Sequence, residues 1–151
     1  MCPMYWEDFT PGLKLKTLGR TVYDHDISAF VQLCGMYEEL FMNREYYEKD
    51  TPYQGRIAPG ALVYALSEGL VIQQGWLHRT GLAFLGLDNW RISRPTRPGD
   101  SIWVEVEVTD RKETKNPERG IVTAHHRVVN QKGEEIMGFN VTRMIRRKKT
   151  A

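Results

Sequence analysis

The stretch "ALVYALSEGLVI", residues 61–72, decides the fold. From Ala61 to about Gln74 the residues are apolar nearly all round a helical path, and such a helix has to be enclosed by other structure. The run is too short to cross a membrane and carries Glu68 inside it, so it predicts the core helix of a globular domain.

Working outward toward the C-terminus, the pattern changes from helical to alternating. In "SIWVEVEV" the residues Ile102, Val104, Val106 and Val108 alternate with polar neighbours, the period of a half-buried strand. Two longer runs, "RGIVTAHHRVV" and "EIMGFNVTRMI", are joined by "NQKGE", where Gly133 supplies the positive φ of a tight hairpin. With "LGLDNWRI" ahead of them, these runs predict an antiparallel meander.

On the N-terminal side, "YDHDISAFVQLCG" predicts a helix with Ile27, Phe30, Val31 and Cys34 on one face and Asp24 or Asp26 as its cap. "REYYEK" predicts a short helix capped by Asn43. "DTPYQGRIAPG", with two prolines and two glycines, predicts a loop leading into the core helix. One buried helix followed by an antiparallel sheet that wraps it is an α+β domain with the outline of the hotdog fold. Edge strands of such a sheet are hidden by pairing two copies, so a dimer or higher oligomer is expected.

Composition bounds the rest. At 151 residues and 41% apolar content the chain fits a single domain, residues 1–151. Its 21 basic and 19 acidic side chains leave a formal charge of +2, which favours neither nucleic acid nor an anionic membrane. The one basic cluster is terminal: Arg143, Arg146, Arg147, Lys148 and Lys149. Two cysteines, Cys2 and Cys34, make no disulfide framework, and "MCPMYWEDF" lacks the pattern of a signal peptide, so a cytoplasmic protein is expected. His125 and His126 are strand neighbours that point to opposite faces and His78 has no partner at ligand spacing, so neither a metal nor a cofactor is expected.

Four segments in order resemble the MaoC-like acyl dehydratases, also called R-specific enoyl-CoA hydratases. They are "MYWEDFTPGLKLKTLGRTVYDHDISAF", "YQGRIAPG", "NWRISRPTRPGDSIWVEVEV" and "RGIVTAHHRVVNQKGEEI". The resemblance implies a hotdog fold, an acyl-CoA thioester as ligand, and water addition across an α,β double bond. In that family a Gly-Asp-x-Asn-Pro-x-His-x-Asp string supplies the catalytic Asp and His. Here "GMYEELFMN", residues 35–43, stands in its place. Gly35 matches, Met36 replaces the Asp, Phe41 replaces the His, and Asn43 replaces the last Asp while keeping its ability to cap a helix. Neither Met36 nor Phe41 can exchange a proton.

The family's Gly in front of the core helix lends its backbone N–H to the thioester carbonyl. Here that residue is Gly60, followed by Ala61, with Pro59 in place of the family's His. Arg56, Arg94 and Arg97 fall in segments that, by the resemblance, border the pocket mouth, where cations suit the phosphates of coenzyme A.

Two carboxylates stand as replacement candidates. Glu68 lies on an apolar stripe with Ala61, Tyr64, Ala65, Val71 and Ile72, an environment that favours a general base, and its place is similar to that of the helix carboxylate in hotdog thioesterases. Its ordinary alternative is pairing with a cation. Glu38, beside the lost Asp and His, is the second candidate; a solvated loop is its ordinary reading.

Three functions remain open. A hydratase or dehydratase with an altered site leads. A catalytically silent acyl-CoA-binding subunit paired with an active MaoC-like chain follows, and a thioesterase using Glu68 is third.

Overall fold

The computed structural model describes residues 2–149. In chain order it contains a short turn of 3-10 helix (Trp6–Asp8), strands β1 (Lys14–Lys16) and β2 (Arg20–Thr21), helices α1 (Asp24–Cys34), α2 (Glu39–Met42), α3 (Arg44–Lys49) and α4 (Gly60–Gln73), and strands β3 (Gly81–Ile92), β4 (Ser101–Glu113), β5 (Arg119–Asn130) and β6 (Glu135–Arg146). The six strands form one antiparallel sheet in the order β1-β4-β5-β6-β3, with β2 also pairing β4.

Helix α4 lies in the curve of that sheet. Leu62, Val63, Leu70 and Val71 are buried against Ile102, Val104 and Val106 of β4, Val128 of β5, and Met137, Phe139 and Val141 of β6. Each such side chain removed from water contributes about 1.5–3 kcal/mol, and this cluster holds helix and sheet together. Ser67 is also buried on α4, and its hydroxyl donates to Tyr64 O at 2.7 Å, so it leaves no unpaired polar group in the core.

Enclosure is incomplete within one chain. Ala61, Ala65 and Ile72 are exposed, so the all-round apolar helix expected from the sequence has one stripe open to solvent. Strand β3, which follows α4, shares this openness. Ten of its twelve residues are exposed, among them Leu82, Phe84, Leu85, Trp90 and Ile92. The meander expected from the sequence holds for β4, β5 and β6, but β3 pairs β6 on the far edge and not β4. A 12-residue apolar strand with one unpaired edge is the reason the sheet is unfinished in a single chain.

The helices around the loop form as their local chemistry dictates. Asp26, three residues into α1, accepts the backbone N–H of Tyr23 at 2.8 Å, and Arg20 binds both its oxygens at 2.9 Å. Burial pushes the Asp26 carboxyl up, but the Tyr23 N–H and Arg20 outweigh it and hold the group below the usual range. Gly35 ends α1 at φ 66°, a left-handed conformation that glycine adopts without penalty. Asn43 caps α3 by accepting Tyr46 N–H at 3.4 Å.

At the other end of the molecule Trp6 packs between the guanidinium groups of Arg111 and Arg147, 4.3 and 4.5 Å from its ring. Glu7 takes Arg147 at 3.1 Å and Asp8 takes Lys148 at 2.6 Å, which ties the N-terminal turn to the end of β6. Among the described residues, no helix is long and apolar enough to cross a membrane.

Candidate functional site

The site is built at the start of α4. Pro59 precedes the helix with φ −54°, and its carbonyl accepts the N–H groups of Leu62 at 3.0 Å and Val63 at 3.2 Å. The amides of Gly60 and Ala61 have no acceptor among the described residues, as expected of the first turn of a helix, whose free N–H groups and dipole favour negative charge. A Cβ on Gly60 would lie 2.3 Å from Ile92 Cδ1, so a larger residue here would push the Ile92 side chain of β3 aside.

A cavity of about 290 Å³ opens over this point. Its walls include Phe41 from α2, Tyr53 and Ile57 from the loop, Val63 from α4, Arg94 and Met137. Backbone bonds fix the walls: Ala58 N–H donates to Thr96 O at 2.8 Å and Ser93 N–H to Ile136 O at 2.9 Å.

Phe41 faces this cavity, and both Phe41 and Met36 pack against the main core. Met36 and Phe41 of "GMYEELFMN" therefore act as packing groups. The described residues lining the cavity include no carboxylate and no imidazole.

The sequence-predicted site residues separate into three groups. Gly60 and Arg94 line the cavity, Ala61 directly follows Gly60, and Arg94 is exposed at the mouth. Arg56 and Arg97 are committed to the protein instead of the mouth. Arg56 donates to Phe41 O at 3.3 Å, to Asp24 O at 3.1 Å and Oδ1 at 3.0 Å, and to Ser28 Oγ at 2.9 Å. It clamps α1 to α2 and so holds Phe41 over the cavity. Arg97 donates to Tyr53 O and braces the same loop. Of the three arginines, Arg94 is the one that lines the cavity.

The two carboxylates are away from the cavity. Glu38 is exposed where α2 begins. Glu68 lies eight residues along α4 from Gly60, about 12 Å by helical rise. One of its oxygens accepts from Arg143 of β6, so the cation-paired reading of Glu68 describes its setting.

The other oxygen, Oε1, is buried without a hydrogen-bond partner and sits 3.8 Å from His126 Nδ1, which is equally unpartnered. Burial above all, then the Arg143 charge, then His125, lowers the His126 pKa to about 3. The imidazole is therefore neutral near pH 7, and its approach to Glu68 is not an ion pair. Burial, followed by the nearby Glu68 charge, raises the pKa of Tyr64, which packs edge-on against Phe139 and Trp90.

Sequence reasoning missed the Glu68–Arg143–His126 cluster because its members come from three elements. Strand parity carried part of the signal, since Val122, Ala124, His126 and Val128 all point inward. Among the described residues no group of three His, Cys, Asp or Glu side chains is placed to hold a metal ion.

Comparison with known proteins places this geometry. A family model described as the MaoC like domain matches residues 8–130. The solved structure of a monoamine oxidase regulatory protein from Archaeoglobus superposes with a TM-score of 0.89 at 31% identity, covering 97% of each chain. A MaoC-like dehydratase from Rhodospirillum rubrum gives a TM-score of 0.85 at 25% identity over 97% of this chain and 99% of its own. An uncharacterized protein of Bacillus subtilis, YdeM, is 28% identical over 145 residues, 95% of this chain and 100% of the relative.

Proposed function

Because the chain belongs to the MaoC-like dehydratase domain family, we propose that its cavity at the start of α4 binds acyl-CoA thioesters, in a hydratase-type site whose proton-transfer groups are altered. Gly60 N–H, assisted by Ala61 N–H and the positive end of the helix, receives the thioester carbonyl oxygen. The acyl group lies against Phe41, Val63 and Met137, and Arg94 meets the phosphates of coenzyme A at the mouth.

The observation that carries this reading is Phe41. It lines the cavity at the place where the family string has its His, so a bound enoyl group meets a hydrocarbon where water activation needs an acid or base. Hydration at this cavity then calls for groups from another chain, and the protein works as a thioester-holding subunit beside an active MaoC-like partner. The exposed edge of β3 is the proposed contact for that second chain. The chemistry needs no metal or cofactor beyond the coenzyme A of its ligand.

The test incubates the purified chain with trans-2-enoyl-CoA thioesters and follows water addition and free coenzyme A separately by mass spectrometry. The expected result is neither product, with hydration appearing when an active MaoC-like chain is added. Rapid hydration by the chain alone contradicts the altered site.

One observation favours a second reading. Glu68 keeps a buried carboxylate oxygen without a partner, an arrangement suited to holding a water. In a thioesterase Glu68 is the base, and free coenzyme A is released by the wild type and not by Glu68→Gln. Glu38 stands as the alternative water-activating group of a hydratase, and loss of any water addition in Glu38→Gln tests it in the same assay.

A further inference from the structure

The basic residues near the end of the chain divide into two sets. Arg147 is held by Glu7 and Glu113, and Lys148 by Asp8, so these two fix the end of β6 to the N-terminal turn and to β4. Arg119, Arg146 and Lys149 are exposed and have no ion-pair partner among the described residues; together they line a groove of about 440 Å³ beside the β4–β5 turn. Glu118 lines the same groove without pairing with any of them, so the free charge there is positive. The backbone beneath is held in place: Thr114 Oγ1 reaches the carbonyls of Asn116 at 2.8 Å and Arg119 at 2.9 Å, Asn116 Oδ1 accepts Glu118 N–H at 2.8 Å, and Arg147 N–H donates to Glu118 O at 2.8 Å.

Strand parity gives the groove its direction. Gly120, Val122 and Ile145 are buried inward, so Arg119 and Arg146 beside them point to the outer face of the sheet, away from α4 and the thioester cavity. From Ile136, which lines that cavity, to Arg146 is ten residues of β6, about 34 Å, so the groove is a separate site. Arg119 and Arg146 stand directly opposite each other in the β5–β6 ladder, where like charges destabilise the sheet. A local conflict of this kind, with no carboxylate to relieve it, is what functional sites retain.

We infer that Arg119, Arg146 and Lys149 form an outer-face site for the diphosphate group of a small molecule, independent of the thioester cavity. Two guanidinium forks on facing strands suit phosphate oxygens, which accept several charge-assisted hydrogen bonds at once, and an anion between them turns the repulsion of the pair into a bridge. Each phosphate carries about −1.5 to −2 charge near pH 7, so one leaves a cation unmatched and two balance all three. The cations are gathered at a single turn of a chain whose formal charge is only +2, which gives a nucleic acid or a membrane no extended basic track.

Calorimetric titration with sodium pyrophosphate and with ADP tests it, at an ionic strength held constant with sodium chloride. Wild type is expected to bind with saturation at one site per chain, and in Arg119→Gln/Arg146→Gln the affinity falls by about tenfold or more. Tighter binding of ADP assigns the groove to a diphosphate ester and tighter binding of pyrophosphate to the free anion, and either result supports the site. Equal affinity in variant and wild type, or no saturable binding to wild type, overturns it.

Thermal unfolding separates lost binding from lost folding. Without pyrophosphate the variant is expected to melt at or above the wild-type temperature, because the facing charges are gone. Pyrophosphate then raises the Tm of wild type and not of the variant. A rise that sodium chloride reproduces at equal ionic strength is general screening and overturns the site.

Discussion

Met36 and Phe41 pack against the core, so placing a polar pair at these two positions is a direct probe of the proposed site. In Met36→Asp/Phe41→His, hydration of a trans-2-enoyl-CoA is expected to rise by about 10²-fold or more over wild type, the scale of general acid–base catalysis. Steady-state absorbance at the enoyl band reads it. His126 makes a different residue-scale prediction. Its folded pKa of about 3 lies below the ordinary 6.5, so the unfolded chain takes up a proton that the folded chain refuses. Stability from this group is complete above about pH 6.5 and is lost as the pH falls toward 3. Asp8 and Glu105, whose carboxyls hydrogen bonds to Lys148 and Arg127 hold low, contribute their losses nearer pH 4. Urea midpoints between pH 6.5 and 4.5 therefore isolate His126: the wild type falls in that window, and His126→Leu shows a flatter profile. That residues 35–43 carry no Asp and no His was legible in the sequence, because it depends only on residue identity along a string. The partners of Glu68 were not, because they depend on which strands the sheet brings to the helix.

Elements explain how the cavity keeps its shape. The loop before α4, the α1–α2 corner and the helix start are joined by one side chain, Arg56, whose donors reach Phe41, Asp24 and Ser28. Arg56→Met leaves these acceptors without their charged donor and is expected to cost about 2–3 kcal/mol in urea unfolding, with a parallel loss of thioester affinity. An unchanged midpoint contradicts the clamp. At this scale the sequence was a good guide where one period governs a segment. The alternation of Ile102, Val104, Val106 and Val108 and the turn at Gly133 appear as read, with all four side chains buried and Gly133 at φ 75°. It failed for β3, since nothing in "LGLDNWRI" says that the strand crosses to β6, and the edge position is a property of the whole sheet.

The whole molecule has an open side formed by the outer stripe of α4 and the edge of β3. Leu82, Phe84, Leu85, Trp90 and Ile92 remain between 38% and 51% exposed, an apolar content that free edges rarely carry. The chain is therefore expected to sediment as a dimer, and Leu85→Lys, which places a charge on that edge, is expected to shift it toward monomer without unfolding it. A wild-type monomer at micromolar concentration contradicts the edge contact. The fold class followed from the sequence because a helix apolar nearly all round needs enclosure. The sequence could not divide that enclosure between the chain's own sheet and a second chain.

Amide chemical shifts of the ¹⁵N-labelled protein, followed during titration with butyryl-N-acetylcysteamine, test the thioester site at atomic level. Saturable shifts centred on the Gly60 and Ala61 amides, spreading to Val63, Ile92 and Ser93, are the expected result. Shifts centred on Glu68 and Arg143, or none at all, contradict a carbonyl held at the start of α4.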